Sequence, residues 1–410
     1  MPLGRLLFWQ LPRAAEVRWR IILASFLLDM ATGMHMVGVP LRAIELNASA
    51  VYLGGMGSAL AFGYVASALV FGALSDRVRR TDLIRVAPIF YSAAVAVVGV
   101  WHSLGALLAW AFILPVSNGM FWPAWQGWIT DVSPPEKRRG HLSLFCVSWS
   151  SGLAAGTLAG GVLAGLGMNW VFVTAALMGV LTVVVVWPER GGKVPANEHE
   201  LRSLLPPVTP DRRWMLLAWM ANFGTMFSVG SVRALFPKLT VSLGIPSWQL
   251  GALLMLINGT QMTVFYLLGR STRWQGNFRL LVAMQAALVL GLAMLGMVEH
   301  PLLLAVPMLA AGAAAGLNFT LSMSYSVAGE QARGLKAGLH EAVAALGGMS
   351  GPVLSGVVVG YFGADVVYKF GGLVLKQFGL HAAYPFCGAV VLVMLLAQQV
   401  AWWRWRASPR

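Results

Sequence analysis

Charged residues are scarce in this sequence. Of its 410 residues, 11% are charged and 58% are hydrophobic, whereas a soluble domain carries about 25% charged residues. A soluble protein of this length needs more charge to cover its surface. The composition therefore excludes a soluble globular enzyme and a disordered chain.

Cysteine is scarce as well. Cys146 and Cys387 are the only two, and they lie inside apolar runs of different segments, so they support neither a disulfide scaffold nor a metal cluster. His340-Glu341 begins like the H-E-x-x-H motif of zinc proteases, but Ala344 stands where the second histidine belongs. The sequence has no G-x-S-x-G motif and no Walker phosphate-binding loop. We therefore expect no enzyme activity, no cofactor and no metal.

Long apolar runs are abundant instead. A helix of about 18 or more apolar residues can cross a hydrocarbon core of ~30 Å, and its backbone polar groups are satisfied within the helix. The runs predict an all-α polytopic membrane protein with twelve spans. They lie near residues 20–41, 51–74, 83–101, 104–130, 141–166, 169–188, 214–241, 248–269, 279–298, 301–328, 335–362 and 382–403.

The formal net charge of +14 suggests nucleic-acid binding only until the charges are placed along the chain. In the twelve-span scheme, all but five of the 29 lysines and arginines lie on the side of the membrane that holds both termini. Because basic loops stay in the cytoplasm, we expect cytoplasmic termini and no nucleic-acid partner. We also expect a monomer in a bacterial inner membrane. The five exceptions are Arg42, Arg233, Lys238, Lys369 and Lys376.

One long polar segment interrupts the apolar runs. Residues 189–213 are rich in proline and charge, which is typical of a linker. They predict a cytoplasmic connection between an N-terminal six-helix bundle at 1–188 and a C-terminal six-helix bundle at 214–410. A second gap lies at residues 363–381. The sequence allows either an ordinary loop or a segment that lies on the membrane surface there.

The two halves resemble each other in sequence. Residues of the same type recur in the same order at a nearly constant offset. Two similar six-helix halves with the same orientation can rock against each other and expose a midplane site to each side of the membrane in turn. The matched pairs include Gly33 with Gly230, Pro40 with Pro237, Gly54 with Gly251, and Arg139 with Arg333.

Two loops carry recognisable motifs. The first runs from Gly72 through Asp76-Arg77 to Arg80 and resembles the signature loop between helices two and three of the major facilitator superfamily, roughly G-x-x-x-D-R-x-G-R-R. It departs from that pattern at Val78-Arg79. The second runs from Asp131 to Arg139-Gly140 and resembles the family's loop between helices four and five. The resemblance implies a conformational latch formed by Gly72, Asp76, Arg77, Arg80, Asp131 and Arg139.

Span five carries glycines at helical spacing. Gly152, Gly156, Gly160 and Gly161 resemble the antiporter motif of exporters in this superfamily, G-x-x-x-G-P-x-x-G-G, with Thr157 in place of the proline. Gly351-Pro352 in span eleven is the corresponding pair. Glycines four apart form a flat face on which another helix packs closely. The family's proton-antiporter arginine in span four is absent, because Pro115 stands at that position.

Ionisable side chains inside a membrane span indicate function, because placing them there is costly. Asp29 lies about nine residues into span one, or roughly 14 Å by helix rise. A carboxyl group removed from water binds a proton more readily. Asp29 is therefore our main candidate for proton or cation coupling, and His340 and Glu341 in span eleven are further candidates. Arg233 in span seven is expected near the outer surface, where its side chain can snorkel.

Span four presents one helical face with aromatic and amide side chains, at a spacing that aligns them. Such a face offers a flat, cation-attracting wall to a substrate. The family resemblance places helices one, four, seven and ten around a central cavity, and span eight can contribute to it. The predicted cavity residues are Asn118, Trp122, Trp125, Gln126, Asn222, Met226, Asn258, Gln261, Asn318 and Tyr325.

The sequence thus favours a secondary transporter that moves a small molecule by alternating access. Proton-coupled efflux of an amphipathic or cationic compound is the first hypothesis. Uptake of a polar metabolite such as a sugar or nucleoside is the alternative, because the predicted cavity contains amides. A membrane receptor or scaffold that transports nothing remains a third possibility.

Overall fold

The computed structural model describes residues 13–75, 77–101, 103–133, 135–188, 211–328, 333–362, 368–370, 373–375 and 379–407. Twelve helices in these ranges are long and apolar enough to cross a membrane, which confirms the predicted all-α polytopic fold. They are α1 (Arg13–Glu45), α2 (Ala50–Ser75), α3 (Arg80–Val100), α4 (Leu104–Val132), α5 (Pro135–Leu166), α6 (Met168–Val186), α7 (Arg212–Ser242), α8 (Ser247–Gly269), α9 (Phe278–Leu295), α10 (Pro301–Val327), α11 (Arg333–Phe362) and α12 (Ala383–Ala407).

Polar side chains cap the N-termini of three of these helices. Ser103, Asp211 and Asn277 precede α4, α7 and α9, and each accepts a hydrogen bond from a backbone N–H of the first turn at 2.8–3.2 Å. The first turn of a helix leaves N–H groups without intrahelical partners, and such caps satisfy one of them. The caps fix where three apolar runs start.

The gap before the last helix contains a short hairpin. Strands β1 (Tyr368–Phe370) and β2 (Leu373–Leu375) pair antiparallel, with Tyr368 opposite Leu375. A 3-10 turn at Gly379–Ala382 then leads into α12. Strand pairing was not among the arrangements expected here, and the alternating Tyr368, Phe370, Leu373 and Leu375 suit it. Residues 363–367, 371–372 and 376–378 lie outside the described part of the chain.

Glycines hold the first helix of each half against the fifth. A Cβ added to Gly152, Gly156 or Gly160 of α5 would overlap the backbone of α1. In the second half, a Cβ on Gly347 or Gly351 of α11 would overlap the backbone of α7 in the same way. Helices one and five therefore pack alike in both halves, as expected of a duplicated unit.

The two halves meet along a seam formed mainly by α2 with α11 and α5 with α8. We call the side on which α1 begins and α12 ends the termini side, and the opposite side the distal side. Gly54 of α2 abuts Pro352 and Gly356 of α11, and Gly161 of α5 abuts Gly251 of α8. These backbone-to-backbone approaches lie towards the distal ends of the four helices.

The glycine packing predicts a contrast within α11. A Cβ on Gly351 would overlap the carbonyl oxygen of Phe227, whereas a Cβ on Gly348 would meet nothing within 4 Å. Gly351→Ala should lower stability by about 1–3 kcal/mol through overpacking. Gly348→Ala should leave it unchanged or raise it by about 0.5–1 kcal/mol, because glycine weakens a helix interior.

Thermal unfolding of the two purified variants in detergent tests this contrast. A lower apparent melting temperature is expected for Gly351→Ala alone. Equal melting temperatures for the two variants would contradict the close α7–α11 packing.

Candidate substrate and coupling site

Two side-chain hydrogen bonds join α1 to α4. Trp125 donates from its indole Nε1 to the Ser25 hydroxyl at 3.0 Å. Asn118 donates from Nδ2 to the Thr32 hydroxyl at 3.1 Å. The two bonds fix the register of the antiparallel helices, with Ser25 nearer the termini side and Thr32 nearer the distal side.

Asp29 lies between these two bonds. Ser25, Asp29 and Thr32 share one face of α1, because residues four and seven apart return to the same side of a helix. Asp29 is 6% exposed, and among the described residues it has neither a hydrogen bond nor an ion pair. It is thus a nearly buried carboxyl group inside a span, available to a proton or to a bound cation.

Aromatic rings cover the stretch of α4 that lies opposite Asp29. Phe121 stacks on Trp125 at a centroid distance of 5.6 Å, and Trp125 stacks on Trp128 at 4.6 Å. Trp122 packs edge-on against Phe121 at 4.9 Å. All four rings are buried, and this aromatic column gives α4 a rigid apolar wall beside α1.

The predicted cavity residues of α4 differ in their exposure. Asn118, Trp122 and Trp125 are buried, whereas Gln126 is exposed. Asn118 uses its amide nitrogen on Thr32, but its buried carbonyl oxygen has no hydrogen-bond partner in the described part of the chain. That oxygen is an acceptor still available inside the bundle.

The second half repeats this chemistry between α7 and α10. Asn318 donates from Nδ2 to the Thr225 hydroxyl at 2.8 Å. Asn222, one turn before Thr225, is fully buried, and neither atom of its amide group has a partner within the described residues. A buried amide without partners costs free energy, so Asn222 is a candidate contact for a ligand.

Arg233 and Asn258 join α7 to α8. The guanidinium Nη2 of Arg233 donates to the side-chain oxygen of Asn258 at 2.8 Å. Arg233 is half-buried and Asn258 is 3% exposed. The head group therefore turns into the bundle rather than snorkelling to the outer surface as expected, because a buried amide offers it an acceptor. Gln261, one turn along α8, is buried at the rim of the same region.

Glu341 lies in an exposed region of α11. Its side chain is 64% exposed although it belongs to a span. Among the described residues, no hydrogen bond or ion pair joins it to Asp29 of the other half.

His340 faces away from that region. It is fully buried, its Nδ1 lies 2.7 Å from the Ser322 hydroxyl, and its ring packs edge-on against Phe319 at 4.9 Å. Its Nε2 lies 3.9 Å from Glu341. These contacts describe a link between α10 and α11.

Two predicted cavity residues lie in packing positions. Tyr325 stacks on Trp214 at 5.7 Å, and its hydroxyl accepts a hydrogen bond from the backbone of Gly276, within an aromatic cluster at the termini side. Met226 is half-buried beside Gly347 of α11. Neither is bonded to the polar groups described above.

The predicted latch is only partly described. Asp76 and the Arg139 side chain lie outside the described residues. Arg80 at the start of α3 donates to Asp131 at the end of α4, at 2.6 Å. Arg77 is exposed, and Gly72 faces Pro123 of α4. The Arg80–Asp131 ion pair joins two helices of the same half.

Sequence reasoning missed the hydroxyl partners of this site. Ser25 and Thr32 flank Asp29 at the spacing of one helical face, and that spacing was a usable signal.

The arrangement defines a class of protein. Twelve spanning helices form two similar six-helix halves, and among the described residues interior polar groups without a partner lie on α1, α4, α7 and α10. This is the architecture of multi-pass secondary transporters.

The chain belongs to the Major Facilitator Superfamily, whose family model matches residues 21–328. It is an integral multi-pass membrane protein of a transporter family, and membership of this family points to a small-molecule substrate rather than to an enzyme. No curated protein sequence matches it significantly.

Solved structures share the fold over nearly the whole chain. A bacterial homologue of the human lysosomal transporter Spinster, inward-facing and occupied, has 16% identity and a TM-score of 0.74, covering 97% of this chain and 98% of its own. The nucleoside transporter NupG has 11% identity and a TM-score of 0.72, covering 94% and 99%. The human organic anion transporter TETRAN has 18% identity and a TM-score of 0.59, covering 95% and 100%. At these identities the likeness shows the fold alone.

The Arg80–Asp131 ion pair predicts a large single-variant effect. Both side chains are about nine-tenths buried, and breaking a buried ion pair by removing one partner costs about 3–5 kcal/mol. Asp131→Ala should therefore lower the apparent melting temperature strongly. Glu45→Ala breaks the exposed Arg42–Glu45 pair and should cost less than about 1 kcal/mol.

Thermal unfolding of both variants measures the difference. The ion-pair account also requires that Arg80→Met added to Asp131→Ala recovers part of the loss. Equal, small effects of Asp131→Ala and Glu45→Ala would show that the pair carries no such energy.

Proposed function

We propose that the protein exports an amphipathic, cationic small molecule in exchange for protons. Asp29 is the observation that carries this proposal, as a nearly buried carboxyl group inside a span with no bonded partner among the described residues. In apolar surroundings a carboxyl group is stable as the neutral acid or as a carboxylate beside a cation. Proton and cationic substrate would then compete for Asp29, and that competition couples their movements in opposite directions.

The aromatic column supports the cationic, amphipathic character of the substrate. Phe121 and Trp122 lie on the part of α4 between the two bonds that flank Asp29. The faces of aromatic rings attract cations and take up flat apolar groups. One ligand can therefore place its charge at Asp29 and its apolar body against α4.

Alternating access would follow from the seam. The close glycine contacts between the halves lie towards the distal side, and such contacts must separate when the distal side opens. Rocking of one six-helix half against the other would achieve this.

The orientation and location are part of the same proposal. Most lysines and arginines belong to the termini side, and basic loops remain cytoplasmic. We place the termini side in the cytoplasm of a bacterial cell, with the protein as a monomer in the inner membrane. Export then means release on the distal side.

Buried amides favour a second candidate, uptake of a polar metabolite. Asn222 has two unbonded amide atoms, and Asn118 and Asn318 each have one. Sugars and nucleosides satisfy such groups with hydroxyls, and the neighbouring fold NupG is a nucleoside transporter. Counterflow in proteoliposomes, with uridine and the cationic dye tetramethylrhodamine methyl ester as competitors, separates the two candidates, because only the exporter proposal predicts competition by the dye.

The proposed role of Asp29 in proton coupling predicts that a neutral variant loses proton-driven transport selectively. Asp29→Asn keeps the shape of the side chain but cannot release a proton. In proteoliposomes, the variant should lose accumulation of tetramethylrhodamine methyl ester driven by a pH gradient, while exchange of the dye without a gradient persists.

Asp82→Asn is the matched control, because Asp82 is an exposed acid in the first turn of α3. It should behave as the unmodified protein. If gradient-driven accumulation of the dye persists in Asp29→Asn, Asp29 is not the coupling site.

A further inference from the structure

Arg233 is a positive charge inside a span, and among the described residues it has no carboxylate partner. It belongs to α7, and its one hydrogen bond with the described residues goes to the neutral amide of Asn258 at 2.8 Å. A guanidinium group stays charged in proteins and has five N–H donors. Taking such a group from water costs free energy unless an anion or several acceptors replace the water.

Two other arginines of this chain have carboxylate partners. Arg80 pairs with Asp131 at 2.6 Å, and Arg42 pairs with Glu45 at 3.1 Å. Arg42 also donates to an asparagine, Asn169, at 2.6 Å. An arginine–asparagine contact therefore accompanies a carboxylate at Arg42, whereas at Arg233 the described residues supply only the amide.

The Arg233–Asn258 pair lies at the seam between the halves. Asn258 is seven residues after Gly251, about two turns along α8, so both share one helix face. Gly251 abuts Thr157 and Gly161 of α5, which belongs to the other half. A ligand held between the halves is therefore within reach of the Asn258 face.

A second observation on the same face of α7 also points to a ligand. Asn222 is eleven residues before Arg233, about three turns away on the same side of the helix. Its side chain is fully buried, and both amide atoms lack hydrogen-bond partners among the described residues. The two groups lie about 16 Å apart by helix rise, and both a guanidinium group and an amide N–H can donate to a carboxylate.

We propose that Arg233 and Asn258 form an anion-binding subsite and that the substrate is amphoteric. Its cationic group would bind Asp29 in the first half, and its carboxylate or similar acid group would bind Arg233 in the second. This inference rests on the proposed function and narrows it from cationic compounds to compounds that carry both charges. A ligand of this kind neutralises both Asp29 and Arg233, which have no ion-pair partner in the described part of the chain.

Two dyes that differ only at one carboxyl group test the subsite. Tetramethylrhodamine carries a cation and a carboxylate, and its methyl ester carries the cation alone. Fluorescence anisotropy titrations with the purified protein should show about tenfold tighter binding of the free acid, as expected for one charge-assisted hydrogen bond. In Arg233→Gln, binding of the acid should fall to that of the ester, and binding of the ester should not change.

Asn258→Asp provides a second variant that does not remove the arginine. The new carboxylate would pair with Arg233 inside the protein, which should raise the apparent melting temperature and abolish the preference for the acid dye. A purely structural Arg233 predicts the same rise with no change in dye preference. Asn169→Asp, which makes the same change beside Arg42 at the distal end of α1, is the matched control and should keep the preference.

The outcomes separate this inference from the proposed function. Equal binding of the two dyes by the unmodified protein, or a preference that survives in Arg233→Gln and Asn258→Asp, would overturn the anion subsite. Proton-driven transport of the ester in that case would leave the proposed function standing. Failure of both dyes to bind would contradict the inference and the proposed function together.

Discussion

The lipid bilayer offers no hydrogen-bond partners, and this constraint organises the whole structure. Backbone groups meet it by forming helices, and interior polar side chains meet it by bonding a carbonyl of their own helix or in pairs between helices. Trp125 with Ser25 and Asn318 with Thr225 are two such pairs, and each joins the first helix of a half to the fourth. Against this background of satisfied groups, an interior polar group without a partner is informative.

Asp29 and Arg233 are charged interior groups of this kind. They lie in different halves, and neither has an ion-pair partner in the described part of the chain. Within one rigid half, such charges would only lower the stability of the protein. Between two halves that move, they become sites at which a proton, a cation or an anion binds and shifts the balance between conformations.

The helical architecture was predictable from the sequence because its signals are local. Apolar runs, basic loops and recurring glycines each report on one span, and Gly156 and Gly351 indeed hold neighbouring helices in contact. Side-chain directions were harder to predict, because they depend on how helices cross. Gln126 shares its helical face with Trp122 but is exposed, and Arg233 turns to Asn258 because α8 brings an acceptor within reach.

Reciprocal motion of the two ends of the seam is the central claim, and spin-label distances measure it directly. Exposed positions provide one pair at the distal side, Val51 of α2 with Tyr361 of α11, and one at the termini side, Val70 with Leu339. In a variant without native cysteines, a change from alkaline to acidic pH should lengthen one distance and shorten the other. Distances that stay constant, or that both change in the same direction, would contradict alternating access in this protein.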